Sequence, residues 1–290
     1  MEQTFATAGR VLVVVENEVG LVAVTAREGD TTRVALTAET PGAEELVERA
    51  VVECRPAGGH DIVLVKIPRL HGMKFIRRNG VAVRVDVPLG SDVKVTAASA
   101  PVELNGSIGA ANVKTASGDV TADEVTDLRV KTASGDLEVE SVRGQLRLHS
   151  ASGDLRCVRA EGGASVTTAA GDVEIGSIGE RAEVRATSGD VRLGDVSGDV
   201  TVVAVSGDVN VLSIACGSVH ARSVSGAIAL GVARGVALRV DAESMSGTVD
   251  SDIPLSDGPE AERGGPKVVL TASSVSGDIH VRRGVEAFVR

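Results

Sequence analysis

The stretch Ser134-Gly135-Asp136-Leu137-Glu138-Val139 recurs 18 residues later as Ser152-Gly153-Asp154-Leu155-Arg156-Cys157, and again as Ser188-Gly189-Asp190-Val191-Arg192-Leu193. Variants of its first three residues return ten times between residues 99 and 278, mostly at intervals of 17 to 19 residues. Such a repeat is too short for a strand-helix-strand crossover, which needs about 30 residues. Each repeat therefore predicts one coil of an all-β solenoid.

Apolar spacing within the repeat divides each coil into two strands. The position two residues after the repeat glycine is aliphatic throughout, and alternation of apolar with polar residues is typical of strands that bury one face. Glycine reaches positive φ without a steric penalty, while Ser and Asp can hydrogen-bond the amides of a turn. The sequence thus predicts structural turns at the repeat glycines, which are Gly118, Gly135, Gly153, Gly171, Gly189, Gly207 and Gly277.

The predicted fold class is all-β: a single-stranded parallel β-solenoid of about ten 18-residue coils, with a β-rich N-terminal head and a short C-terminal cap. We assign the head and N-terminal cap to residues 1–98 and the solenoid repeats to residues 99–283, with a loop insertion at 252–267. Residues 284–290 are the predicted C-terminal cap, with Phe288 as its plug. Caps are expected because an open solenoid end exposes unpaired strand edges and apolar surface.

Composition agrees with a thin, aliphatic interior and favours the cytoplasm. The chain is 43% hydrophobic but has only 3 Phe and neither Trp nor Tyr, so its core is expected to be filled by small side chains. Cys54, Cys157 and Cys216 are an odd number and widely spaced, and the first residues show no signal-peptide pattern. No segment approaches the roughly 20 apolar residues that cross a bilayer, which predicts no membrane span.

The tandem Ser-Gly-Asp corners, the Val-x-Val strands and the segment Val85-Asp86-Val87-Pro88 resemble a bacterial β-strand repeat family of unknown function labelled "putative adhesin". The resemblance covers roughly residues 80–283. It implies the solenoid fold, and it brings no catalytic residues to transfer to this chain.

The regular aspartate column of the repeats has two interpretations. It comprises Asp119, Asp136, Asp154, Asp172, Asp190 and Asp208. Ca²⁺ prefers about 6 to 8 oxygen ligands, more than a single Gly-Asp corner supplies, so turn capping is the favoured interpretation. A calcium-binding or polysaccharide-binding β-roll remains a remote alternative. We predict no metal and no cofactor.

Basic residues recur on one outward face. Lys114, Lys131, His149 and Arg185 share one predicted outward column, and Arg129 and Arg147 lie in the next. Adjacent coils thus place like charges together on a chain whose formal net charge is -10. Two interpretations stay open: an anion-binding face and a solvated basic face. Outward residues on the other sheet alternate in sign, including Arg156, Glu174 and Arg192, and predict a ladder of salt bridges.

A basic and apolar loop is the second candidate site. It contains Lys74, Phe75, Arg77 and Arg78, and it could contact a partner or an anionic surface, or fold over the solenoid mouth. Phosphate-binding loops, dinucleotide fingerprints and zinc-hydrolase motifs are missing from the sequence, so no enzymatic activity is expected. The predicted function is a non-enzymatic cytoplasmic scaffold or binding module for a protein or an anionic ligand. The alternative is a self-assembling solenoid that forms filaments or homo-oligomers.

Overall fold

The computed structural model describes residues 1–7, 9–68, 80–253 and 266–284. Contacts divide the chain into two compact units, Met1–Arg143 (unit 1) and Gly144–Arg290 (unit 2). Both are built from strands stacked in parallel, coil upon coil, which confirms the predicted all-β solenoid. Among the described residues, no helix has the length and apolar character needed to span a bilayer.

Unit 1 contains eleven described strands and one short helix. They are β1 (Glu2–Ala6), β2 (Val11–Val19), β3 (Val22–Arg27), β4 (Thr31–Ala38), α1 (Glu44–Glu48), β5 (Val51–Ala57), β6 (His60–Lys66), β7 (Val81–Pro88), β8 (Asp92–Ser99), β9 (Val102–Lys114), β10 (Val120–Ser134) and β11 (Leu137–Val142).

The coils of unit 1 do not stack in chain order. Strand β2 pairs in parallel with both β6 and β8, and β3 pairs in parallel with both β7 and β9. The coil formed by β2 and β3 is therefore intercalated between two coils that come later in the chain. Parallel pairing also crosses the predicted boundary at residue 98, because β2 and β8 belong to the same stack as β9 and β10. The boundary itself stays a prediction.

Antiparallel strands cover the outer edges of β6 and β7, which form the outermost parallel coil at one end of unit 1. Strand β5 pairs with β6, β4 pairs with β7, and β1 pairs with β4. Helix α1 adds the buried side chain of Leu46 beside this layer. The antiparallel strands β4 and β5 thus pair with strand edges that an open solenoid would leave unpaired.

Unit 2 contains fourteen described strands. They are β12 (Gln145–Ser152), β13 (Leu155–Ala160), β14 (Gly163–Ala170), β15 (Val173–Ile178), β16 (Arg181–Ser188), β17 (Val191–Val196), β18 (Val200–Ser206), β19 (Val209–Ile214), β20 (Gly217–Ser225), β21 (Ile228–Val232), β22 (Ala237–Ser246), β23 (Val249–Ser251), β24 (Lys267–Ser276) and β25 (Ile279–Arg283).

The core of unit 2 is a set of aligned aliphatic columns. In one of them Leu155, Val173, Val191, Val209 and Ile228 follow each other in register on successive coils, and all five are buried. Stacked strands lie about 4.8 Å apart, so branched aliphatic side chains fill each layer completely. The period-two pattern read from the sequence is the cause of this column.

The last coils of unit 2 are also intercalated. Strand β24 pairs in parallel with β20 on one side and β22 on the other, and β25 lies in the same way between β21 and β23. The coil of β22 and β23 is therefore the outer one, although it precedes β24 in the chain. Its composition suits that place, because the polar Ser251 stands in the inward column where the neighbouring strand has Val281. Val249 in the same coil is 49% exposed.

Several predicted features lie outside the described residues. They include most of the insertion at 252–267, where residues 254–265 are not described, and the plug residue Phe288. The boundaries proposed for the insertion and for the C-terminal cap stay predictions.

Candidate functional site

The aspartates at the coil corners cap the backbone of the next coil. In unit 2, Oδ1 of Asp172 accepts a hydrogen bond of 2.8 Å from the N–H of Asp190, and Oδ1 of Asp190 accepts one of 3.0 Å from Asp208. The carboxylate of Asp208 accepts the N–H of Ala227 in the same way at 2.8 Å. Each carboxylate is thus held by an amide dipole, which explains the repeated negative charge without an ion.

Two corner carboxylates each accept two hydrogen bonds, one from a backbone N–H and one from a hydroxyl group. Oδ1 of Asp199 accepts hydrogen bonds from the hydroxyl of Ser218 at 2.7 Å and from its N–H at 3.0 Å. Oδ1 of Asp278 accepts the N–H and the hydroxyl of Thr248, both at 2.8 Å. These hydrogen bonds lower the pKa of Asp199 and of Asp278, because they stabilise the ionised carboxylate.

Four exposed cations share one outward face of unit 1, which we call the basic face. Lys114 of β9 lies in register with Lys131 of β10, and Arg129 lies two residues before Lys131 on the same side of the strand. Lys94 of β8 is in register with Asn112, which is in register with Arg129. At a strand spacing of about 4.8 Å and a spacing of roughly 7 Å between alternate residues, the four charges lie within about one Debye length of their neighbours.

Ion pairing distinguishes the basic face from most other cations of unit 1. Several cations elsewhere in the unit are neutralised locally, as in the pairs Arg27–Asp86 at 3.0 Å and Lys66–Glu16 at 3.0 Å. Within the described ranges, none of Lys94, Lys114, Arg129 and Lys131 forms an ion pair. Four like charges that form no ion pair repel each other, and a bound anion would relieve that repulsion.

Asn112 lies between Lys94 and Arg129 and adds a polar group to the basic face. Its side chain is half-buried, and its Oδ1 atom is buried without a hydrogen-bond partner among the described residues. A buried amide oxygen without a donor costs free energy. With Oδ1 on the inner side, the Nδ2 group is not among the buried, unpartnered atoms, and its two N–H donors could bind an anion together with the surrounding cations.

Acidic groups border the basic face at the corner end of its strands and on β2, where Glu16 is in register with Thr96, the neighbour of Lys114, and pairs with Lys66. The carboxylate of Asp92, two residues before Lys94, accepts the N–H of Ala110 at 2.7 Å. Asp127 holds the corresponding place before Arg129 on β10. Asp92 and Asp127 both precede the cations along their strands, so the positive charge is concentrated towards Lys114 and Lys131.

The remaining predicted basic residues lie in unit 2 or outside the described residues. Arg147 and His149 are exposed on β12, where their neighbours on β14 are the uncharged Ser165 and Thr167. Arg185 forms an ion pair with Glu183, which accounts for its charge locally. The loop residues Lys74, Phe75, Arg77 and Arg78 lie outside the described residues, so their role stays a prediction.

The ladder of salt bridges predicted on the other sheet is formed only in part in unit 2. Arg156 and Glu174 approach to 3.8 Å, as their alternating signs predict. Arg192, however, pairs with the corner carboxylates Asp190 at 2.8 Å and Asp172 at 3.7 Å rather than continuing the ladder along its column. The corner aspartates thus bind cationic side chains as well as backbone amides.

Sequence reasoning missed Lys94 and Asn112 as members of the basic face. Residues before 99 were assigned to a head, so Lys94 was not placed in a coil. The signal was present in Val93-Lys94-Val95, which has the same alternation as Val113-Lys114 and Val130-Lys131. Only the parallel register of β8 with β9 shows that the three segments share one face.

Comparison with solved structures found similar chains of low sequence identity. A "putative adhesin" from Bacteroides fragilis is 10% identical, with 97% of this chain and 96% of that chain covered and a TM-score of 0.43. A "putative adhesin" from Parabacteroides merdae is also 10% identical, with coverages of 97% and 95% and a TM-score of 0.42. A "putative lipid binding protein" from Parabacteroides distasonis is 10% identical, with coverages of 97% and 96% and a TM-score of 0.42.

Family comparison gives a direct assignment. Comparison with curated proteins gave no significant match. The family model described as Toastrack DUF4097 matches residues 65–178 and again residues 160–282, which together make up most of the chain and include the tandem coils of both units. The chain therefore belongs to the Toastrack DUF4097 family.

Proposed function

We propose that this protein is a non-enzymatic, cytoplasmic binding module or scaffold, and that the basic face of unit 1 binds an anionic partner. The observation that carries the proposal is the cluster of Lys94, Lys114, Arg129 and Lys131, four exposed cations without an ion pair in the described part of unit 1. The strands beneath them are rigid, because Val95, Val113 and Val130 anchor the same segments in the core. A rigid, preorganised set of charges loses little entropy on binding.

A polyanion is the best match to this geometry. Lys114 and Lys131 are one strand spacing of about 4.8 Å apart, and Lys94 and Arg129 are two spacings apart with Asn112 between them, so a ligand with several closely spaced negative groups can neutralise them together. Such binding should weaken steeply with salt, because neutralised charges release counterions and lose screened attraction. A single small anion would contact only part of the face and should bind more weakly.

Fluorescence anisotropy with labelled inorganic polyphosphate tests the proposal. The wild-type chain should bind, and its affinity should fall at least about tenfold between roughly 50 and 200 mM salt. The double variant Lys114→Glu/Lys131→Glu should lose binding, while its melting temperature changes by only a few degrees because both side chains are exposed.

The matched control is Arg10→Glu/Arg84→Glu, which makes the same charge change in unit 1 at two exposed residues away from the basic face. This control should keep most of the affinity for polyphosphate. Equal losses in the two double variants would show a dependence on net charge alone and would contradict the proposed face. Absence of wild-type binding at low salt would favour a solvated basic surface.

Self-assembly is a second candidate function, and the outer coil of unit 2 favours it. Strand β22 pairs with β24, and no described strand pairs with its other edge. The same coil exposes Met245 to 79%. In an antiparallel pair of two β22 edges centred on Val240, Arg239 of each copy would face Asp241 of the other, which gives complementary charges.

Size-exclusion chromatography with light scattering over a concentration series distinguishes the two functions. Self-assembly through β22 predicts a mass that rises with concentration. The variant Val240→Pro should then stay monomeric, because proline cannot donate a hydrogen bond across a strand edge. A monomer at every concentration would exclude this second candidate, while leaving binding by the basic face untouched.

A further inference from the structure

The intercalated order of unit 2 creates a side-chain cluster that the linear repeat does not show. Because β25 lies beside β23, His280 is in register with Asp250, and Asp252 follows two residues after Asp250 on the outward side. Nε2 of His280 lies 3.1 Å from Oδ2 of Asp252, and Nδ1 lies 3.7 Å from Oδ2 of Asp250. Asp250 lies in β23 and Asp252 directly after that strand, whereas His280 lies in β25, which follows β24 in the chain.

We propose that Asp250, Asp252 and His280 form a binding site for a divalent transition metal, with Zn²⁺ as the best match. One donor atom from each residue lies within 4.8 Å of the other two. Two donors held by one Zn²⁺ at about 2.1 Å in tetrahedral geometry are about 3.4 Å apart. Small rotations of exposed side chains therefore suffice to bring the three donors onto one ion.

The donor set decides which metals fit. An imidazole with two carboxylates suits Zn²⁺ and its transition-metal neighbours, whereas Ca²⁺ and Mg²⁺ prefer all-oxygen ligands. The two carboxylates carry a charge of -2, and no described Lys or Arg forms an ion pair with Asp250 or Asp252. Three protein donors leave the fourth position of a tetrahedral ion to water or to a donor from a partner.

The neighbouring cation is bound elsewhere. Arg282 lies two residues after His280 on the same strand, but its guanidinium donates to Oδ1 of Asn210 at 3.1 Å. On the inner side, β21 places the small Ala229 in register with His280. The cluster is thus open to solvent and has room for an ion. The competing arrangement is a protonated His280 that forms ion pairs with both carboxylates.

A bound ion would stabilise the outer coil of unit 2, which is formed by β22 and β23. Strand β23 is three residues long, its pairing with β25 involves only Val249, Asp250 and Ser251, and Val249 is 49% exposed. The proposed ion joins β23 to β25 through side chains as well as backbone. Zn²⁺ should therefore raise the melting temperature of the chain, because an ion that binds only the folded state stabilises it by mass action.

Isothermal titration calorimetry, with ZnCl₂ added to the full chain after chelator treatment, tests the site. The wild type should bind one Zn²⁺ per chain, and His280→Gln and Asp252→Asn should each weaken binding at least about tenfold, as expected when one of three metal ligands is lost. The control His60→Gln removes an exposed histidine from unit 1 and should bind as the wild type does. CaCl₂ in place of ZnCl₂ should bind far more weakly.

Three results would overturn the proposal. They are no saturable Zn²⁺ binding by the wild type, wild-type affinity in both His280→Gln and Asp252→Asn, and Ca²⁺ binding as tight as that of Zn²⁺. The melting temperature gives a second readout, since it should rise with Zn²⁺ in the wild type and in His60→Gln. It should not rise in His280→Gln, whose circular dichroism spectrum in the absence of metal reports whether the variant has folded.

Discussion

Gly189 lies directly over Gly171 in the stack of unit 2, so close that a Cβ atom on Gly189 would come within 3.0 Å of the Gly171 carbonyl group. Gly189 has a φ of 112° and Gly171 a φ of 128°, in the region that favours glycine. Gly118 in unit 1 lies at a comparable corner without positive φ, yet a Cβ there would meet the Ala100 carbonyl. Close stacking therefore requires glycine in addition to turn geometry.

Gly189→Ala should destabilise the fold more than Gly235→Ala. Gly235 also has positive φ, at 78°, but nothing lies within 4 Å of its added Cβ. Gly235→Ala should cost about 1 kcal/mol in the free energy of unfolding, and Gly189→Ala about 2 to 4 kcal/mol, because it adds a backbone clash. Urea denaturation measures both. Equal losses in the free energy of unfolding would mean that positive φ alone, without close stacking, requires glycine at these two positions.

Asp208→Ala should lower the free energy of unfolding by about 1 kcal/mol, since the amide of Ala227 loses its acceptor. Asp208→Asn should cost less than about 0.5 kcal/mol, because the amide oxygen can still accept that hydrogen bond. Denaturant titrations of the two variants provide the measurement. An Asn variant as unstable as the Ala variant would show that the negative charge matters, rather than the cap.

Acid should weaken the fold through Asp199 and Asp278. Hydrogen bonds from Ser218 and Thr248 lower the pKa of Asp199 and of Asp278, respectively, below the usual aspartate range in the folded state. Their contribution to stability is present above the unfolded pKa and is lost as the pH falls through the folded pKa. Ser218→Ala should raise the pKa of Asp199, which a carboxyl-detected NMR titration measures. An unchanged pKa would contradict this assignment.

Cys157 should resist alkylation in the folded chain. Burial raises the pKa of its thiol to about 11, so about one molecule in a thousand carries the thiolate at pH 8. Cys54 and Cys216 are only partly buried and should react first with iodoacetamide. Mass spectrometry of proteolytic peptides locates the label. Early labelling of Cys157 would contradict its placement in the inward column beside Ile175.

The repeat made the coils predictable, because the alternation around each Ser-Gly-Asp corner is local in sequence. Leu155 and Val173 lie in one buried column as that alternation predicts. The intercalation of β2 between β6 and β8 was not predictable, since it depends on pairings between segments 50 and 80 residues apart, such as Leu12 with Ile62 and Leu12 with Asp92. For the same reason Lys94 was missed on the basic face, and the approach of His280 to Asp250 was not foreseen.

Anion binding at the basic face of unit 1 can be mapped residue by residue with backbone amide NMR of the isotope-labelled chain during a titration with inorganic polyphosphate. We expect saturable chemical-shift changes centred on Lys94, Asn112, Lys114, Arg129 and Lys131, which disappear when the salt concentration is raised. Shifts confined to residues 69–79, or spread evenly over the exposed cations of both units, would contradict binding at the basic face.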